Sequence, residues 1–138
     1  ETASFALGRR FEAVHWNHIS GKEIKAIVGE SDTGRVLVAG PESRAPHNRR
    51  FMIARGLFHF LATSQNSQRL VTSAYSVDQK ASRAFAAELL APQSALLNRL
   101  AGSSADPADV EAFSEEFQAS GIVIQRQLEN AGAAISSD

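Results

Sequence analysis

Arg49-Arg50-Phe51-Met52-Ile53-Ala54-Arg55-Gly56-Leu57-Phe58-His59-Phe60-Leu61 is the stretch on which the fold turns. Phe51, Ala54, Phe58 and Leu61 recur at three- and four-residue spacing, and Ile53, Leu57 and Phe60 form a second stripe beside them. Two apolar stripes on one helix mean burial around most of its circumference, so the spacing predicts a central helix over 49–62. Within it Arg55 and His59 stand four residues apart, on one face. A guanidinium in such a helix needs partners, because an isolated buried charge is costly.

Working upstream, Arg35-Val36-Leu37-Val38-Ala39 reads as a strand between a turn at Gly29 to Gly34 and a loop over 40–47. Farther back, Leu7, Phe11, Val14 and His18 share a helical face and predict a helix over 3–18. Ser20-Gly21-Lys22-Glu23 has the pattern of a capping box, with Ile19 and Ile24 at the staple positions, and predicts a short helix over 21–28. Downstream, Arg69-Leu70-Val71-Thr72 reads as a second strand. Ser76-Val77-Asp78-Gln79 caps a helix that runs to Leu90 and stops at Pro92, and a short helix follows over 93–100. Asp106-Pro107 opens a further helix with Val110, Phe113 and Phe117 on its apolar face. After a break at Ala119-Ser120-Gly121, the last helix carries Ile124, Leu128 and Ala131 on one side and ends before Gly132. The expected class is α+β, a helical bundle against a small, mostly antiparallel sheet of two or three strands.

The chain of 138 residues fits a single domain over 1–138, with 43% hydrophobic and 21% charged residues. A formal net charge of −1 argues against nucleic-acid binding by bulk electrostatics. The absence of cysteine excludes a disulfide framework, a thiolate nucleophile and cysteine-ligated zinc, and fits a reducing cytoplasm. No apolar run approaches the ~20 residues of a membrane-spanning helix. The opening Glu1-Thr2-Ala3 shows neither methionine nor a signal-peptide pattern, which suggests a piece of a longer protein.

Three segments together resemble the ImmA/IrrE metallopeptidase family. Residues 49–61 match its arginine-phenylalanine start and H-E-x-x-H helix in position. Arg83-Ala84-Phe85-Ala86-Ala87-Glu88-Leu89-Leu90-Ala91-Pro92 is similar to its F-A-A-E-L-L-x-P helix, the most specific of the three matches. Phe113 to Gly132 resembles its F-x-V-S…R-L-x-N-x-G ending. The resemblance spans 49–132 and implies a gluzincin-like (zincin) core. It divides the chain into N-terminal elements over 1–48, a peptidase-like core over 49–100 and a C-terminal helical hairpin over 106–132.

The departures from the motif decide the expected chemistry. H-E-x-x-H works because two histidines at i and i+4 grip zinc while the intervening glutamate activates water. Here the five positions are Arg55-Gly56-Leu57-Phe58-His59. Arg55 stands for the first ligand and Gly56 for the general base, and arginine keeps its proton near neutral pH. The third ligand of the family is an acid upstream of F-A-A-E-L-L; Asp78 is the nearest candidate, while Gln79 and Ala81 hold the better aligned positions. The resemblance therefore implies a degenerate, noncatalytic peptidase-like module without metal. The competing reading is an active zinc peptidase with substituted ligands.

Asp78 first, or Glu88 second, is the expected carboxylate partner of Arg55, with Glu88 otherwise part of the family scaffold. His59 reads as a hydrogen-bonded core histidine, against a ligand role. His15 and His18, three apart on the expected first helix, form a possible two-ligand pair, with His47 the remaining histidine. Met52, Arg55, Gly56, His59 and Thr63 share a face and, with Glu88 from the neighbouring helix, mark a groove suited to an anionic small molecule or a peptide carboxylate. The 108–131 helix pair has a helix-turn-helix outline but is poor in basic residues. Members of the family act on, or are fused to, helix-turn-helix regulators. The resemblance thus implies a bacterial regulatory role with a protein partner or fused DNA-binding domain, leaves a homodimer or a purely structural domain open, and does not involve a membrane.

Overall fold

Valines, β-branched and suited to strands, fill most of the buried positions beneath the central helix: Val28, Val36, Val38 and Val71, beside Ala26. The computed structural model describes residues 23–32, 34–41, 45–62 and 68–136, and of residues 11–16 and 41 the backbone alone. Among these, β1 (Phe11–Trp16), β2 (Ile24–Glu30), β3 (Val36–Pro41) and β4 (Arg69–Thr72) form one sheet in the order β1-β3-β2-β4. β2 runs antiparallel to both β3 and β4, whereas β1 lies parallel beside β3. Five helices accompany it among the described residues: α1 (Pro46–Leu61), α2 (Val77–Leu90), α3 (Gln93–Arg99), α4 (Pro107–Phe117) and α5 (Gly121–Asn130). Two-residue strands β5 (Ser104–Ala105) and β6 (Ala134–Ile135) pair in parallel and tie the chain end to the α3–α4 connection. The class is α+β, as expected. The sheet is larger than the two or three strands expected, and one of its pairings is parallel.

The two N-terminal helices read from the sequence are corrected. Residues 11–16 form a strand where a helix over 3–18 was expected, and Ile24–Glu30 is a strand where the 21–28 helix was expected. In β2 the buried residues Ala26 and Val28 alternate with less buried neighbours, the period-2 pattern of a strand. Ile24, Ile27 and Val28 prefer that geometry, and their tertiary pairing overrides a four-residue capping pattern. Glu23 stands in a turn before the strand, and Ser20 to Lys22 lie outside the described residues. The β2–β3 turn closes through Ser31 and Arg35, whose backbone groups bond at 2.8 Å, with Gly34 at φ +72°.

α1 separates two apolar cores, which is why it is apolar on more than one side. Toward the sheet, Met52, Ile53 and Phe60 pack on Ala26, Val28, Val36, Val38 and Val71. On another side, Phe51 packs on the helical core, where Leu96, Ile124 and Leu128 are fully buried. Gly56 lies where α1 presses closest to the sheet. A Cβ there would stand 3.0 Å from Val28 Cγ2 and 3.0 Å from Val38 Cγ2, so glycine permits the approach. The α4–α5 hairpin turns at Gln118, in the left-handed region at φ 52°. Arg50 Nη1 donates to Phe117 O at 3.3 Å and Gln118 O at 3.2 Å, tying that turn to α1. Asp106 and Asp109 form a reciprocal capping box at the start of α4, and Gly132, φ +86°, follows α5.

Candidate functional site: a buried polar knot between α1, α2 and β4

Helix phase decides which α2 side chains meet α1. Gln79, Ser82 and Ala86 are buried and face inward, while Asp78, one position earlier, is exposed. Arg55, itself 3% exposed, donates from Nε to Ser82 Oγ at 3.0 Å. Its Nη2 donates to Gln79 Oε1 at 2.6 Å and to Thr72 O at 2.9 Å. Gln79 in turn accepts from Thr72 N at 2.9 Å through Oε1 and donates from Nε2 to Leu70 O at 2.9 Å. Ser82 Oγ donates back to Gln79 O at 2.9 Å. One guanidinium, one carboxamide and one hydroxyl thus fasten the central helix, the second helix and the end strand of the sheet.

The expected pairing of Arg55 with Asp78 or Glu88 is replaced by Gln79 and Ser82. Asp78 points from the outer side of its helix and reaches the knot through its field on His59. Glu88 lies nearly three turns farther along α2, accepting from Gln127 Nε2 at 2.7 Å and from Gln93 N at 3.3 Å. Gln127 is buried and also donates to Ala91 O at 2.9 Å, so Glu88 and Gln127 join α2 to α5 and the start of α3.

His59 is 6% exposed, one turn beyond Arg55, with Phe58 packed edge-on at 5.5 Å between ring centroids. Burial, followed by the Arg55 charge, holds its pKa below the ordinary 6.5, while Asp78 and hydrogen bonding to Gln79 oppose that shift. The imidazole therefore favours its neutral form.

The donor set does not fit zinc. Arg55 is a cation with no lone pair to offer, Gln79 Oε1 already accepts two hydrogen bonds, and His59 alone has a ligating nitrogen. Among the described residues no three His, Cys, Asp or Glu side chains gather closely enough to hold a metal ion. His15 belongs to β1, so the helical spacing that would pair it with His18 does not apply, and His18 lies outside the described residues. Ser82, fully buried and engaged in two hydrogen bonds, is not placed as a nucleophile.

Of the expected groove, Gly56 faces the valines of the sheet and Met52 packs on the same core. The room that Gly56 was expected to leave is taken up by Val28 and Val38. Thr63 lies outside the described residues. On the helix-turn-helix outline, three polar side chains of α5 bond one another: Arg126 Nη1 meets Glu129 Oε2 at 2.9 Å and Gln125 Nε2 meets Glu129 Oε1 at 3.0 Å. Sequence reasoning missed the roles of Ser82 and Gln127. For Gln127 the signal was a polar residue at core spacing among Val123, Ile124 and Leu128; for Ser82 it was the three-residue spacing from Gln79. No helix among the described residues is long and apolar enough to cross a membrane. No protein-family model matches the chain, and no curated protein matches it.

Proposed function

We propose that this chain is a noncatalytic domain of the ImmA/IrrE type, with a zincin-like core in which hydrogen bonds have taken over the place of the metal. In this reading it serves in the bacterial cytoplasm as a protein-binding or sensing module of a longer transcriptional regulator. The observation that carries the reading is the 2.6 Å contact between Arg55 and Gln79. By the motif resemblance these two positions correspond to the first zinc ligand and to the segment that supplies the third. A fixed cation and a neutral carboxamide there join the same elements that a metal would bridge, without needing one. The tight packing of Gly56 on Val28 and Val38 supports the same reading, because a glutamate general base has no room at that position.

A protein partner is favoured by the apolar side chains left in solvent around the β4–α2 junction. Leu70 is 47% exposed, Tyr75 82% and Val77 81%. Large exposed apolar groups close together in the chain mark interaction surfaces more often than isolated ones do. The proposed partner is a helix-turn-helix regulator, separate or fused. The test is proteolysis of unfolded protein and of purified helix-turn-helix regulators, with zinc and with a chelator. The proposal expects no cleavage that depends on metal. Cleavage abolished by the chelator and restored by zinc would establish the substituted-ligand peptidase instead.

A further inference from the structure

The geometry points to Gln79 as a side chain that seals the outer edge of β4 against addition of a second copy of this chain. β4 is last in the sheet order, so one of its sides faces no other strand among the described residues. In a parallel ladder, one residue donates its N–H to the carbonyl before the residue it faces and accepts the N–H of the residue after it. The Gln79 carboxamide makes that pair of bonds around Val71: Nε2 to Leu70 O and Oε1 from Thr72 N, each at 2.9 Å. It stands in for one residue of a parallel strand.

The seal is firmly held. Arg55 Nη2 donates to the same Gln79 oxygen at 2.6 Å and to Thr72 O at 2.9 Å, so a charged donor polarises the amide and occupies the next carbonyl. Ser82 bonds the Gln79 backbone carbonyl and the guanidinium together. Three backbone groups of a four-residue strand, Leu70 O, Thr72 N and Thr72 O, are thereby engaged. Half-exposed Leu70 and well-exposed Tyr75 border the edge. A bare edge with an apolar rim is a template for strand pairing, and two copies of one short edge can meet about a two-fold axis. Gln79 prevents that association by occupying the positions an added strand would use.

Hydrogen exchange and sedimentation on Gln79→Ala test the proposal, with Gln79→Met as the equal-length alternative where Gln79→Ala does not fold. The Thr72 amide should exchange slowly in the wild-type chain and about tenfold faster in the variant, the factor carried by a hydrogen bond of ordinary net strength. The Val71 amide, on the side of the strand facing β2, should keep its rate. The variant should also associate with rising concentration beyond any self-association of the wild type, and adding Leu70→Lys should reverse this. Equal acceleration at Val71 and Thr72, a freely exchanging Thr72 in the wild type, or unchanged association in the variant would overturn the proposal. None of these readouts involves metal or proteolysis, so their failure is separable from failure of the functional proposal.

Discussion

Replacing Gly56 by alanine sets two effects of opposite sign against each other. In a helix interior the change alone gains about 1 kcal/mol of helix propensity. Here the new methyl would stand 3.0 Å from Val28 Cγ2, 3.0 Å from Val38 Cγ2 and 3.2 Å from Val38 Cγ1. Ordinary carbon contacts lie at about 3.5–4.0 Å, so α1 must lift by roughly half an ångström or two buried valines must leave their preferred rotamers. Overpacking of this kind costs about 1–3 kcal/mol. The net expectation is destabilisation by about 1 kcal/mol, read as a fall in melting temperature of about 4 °C by calorimetry or circular dichroism. Val38→Ala alone is destabilising, but the double variant should lose less than the sum, because the smaller residue makes room for the methyl. A stabilised Gly56→Ala, or strict additivity with Val38→Ala, would refute the close packing. Gly56→Glu, which would write the glutamate of an H-E-x-x-H motif at this position, should not fold, since it drives a carboxylate between Val28 and Val38.

Three further predictions concern the buried polar groups. Ser82→Ala removes the acceptor of Arg55 Nε in a fully buried place and should cost about 1–3 kcal/mol in denaturant unfolding. Gln127→Leu leaves Ala91 O and Glu88 without their buried donor and should cost a similar amount, about 1–3 kcal/mol, without altering the Thr72 amide. His59 should make the domain acid-sensitive. Its folded pKa lies below 6.5, so its contribution is complete above pH 6.5 and is lost as pH falls toward the folded value, where the unfolded chain takes up the proton first. The slope in that window approaches about 1.4 kcal/mol per pH unit at most, and His59→Gln should flatten it in melts from pH 7.5 to pH 5.

The helices from α1 onward were legible because their apolar residues recur at helical spacing and their ends carry strong signals, such as Asp106-Pro107 and Gly132. β4 was bounded correctly by its run of four residues. β1 and β2 were not legible, because short apolar runs satisfy both periods and only pairing with β3 decides between them. β5 and β6, of two residues each, carry no sequence pattern at all. At the site, an arginine in an apolar helix announced that it needed partners, but charge complementarity pointed to Asp78. The helix phase, set by packing of α2 on α1, brought Gln79 and Ser82 inward instead. Gly56 read as a lost base with room beside it, whereas the sheet fills that room.

Thermal unfolding in excess zinc, compared with unfolding in a chelator, tests most directly whether hydrogen bonds have taken the place of a metal. A single zinc site present at about 100 times its dissociation constant would add about 2.7 kcal/mol, or roughly 10 °C for a domain of this size. The knot of Arg55, Gln79 and Ser82 already joins α1, α2 and β4, so the two melting temperatures should coincide. A rise of several degrees with zinc, saturating at one ion per chain and lost in His59→Gln, would contradict the account.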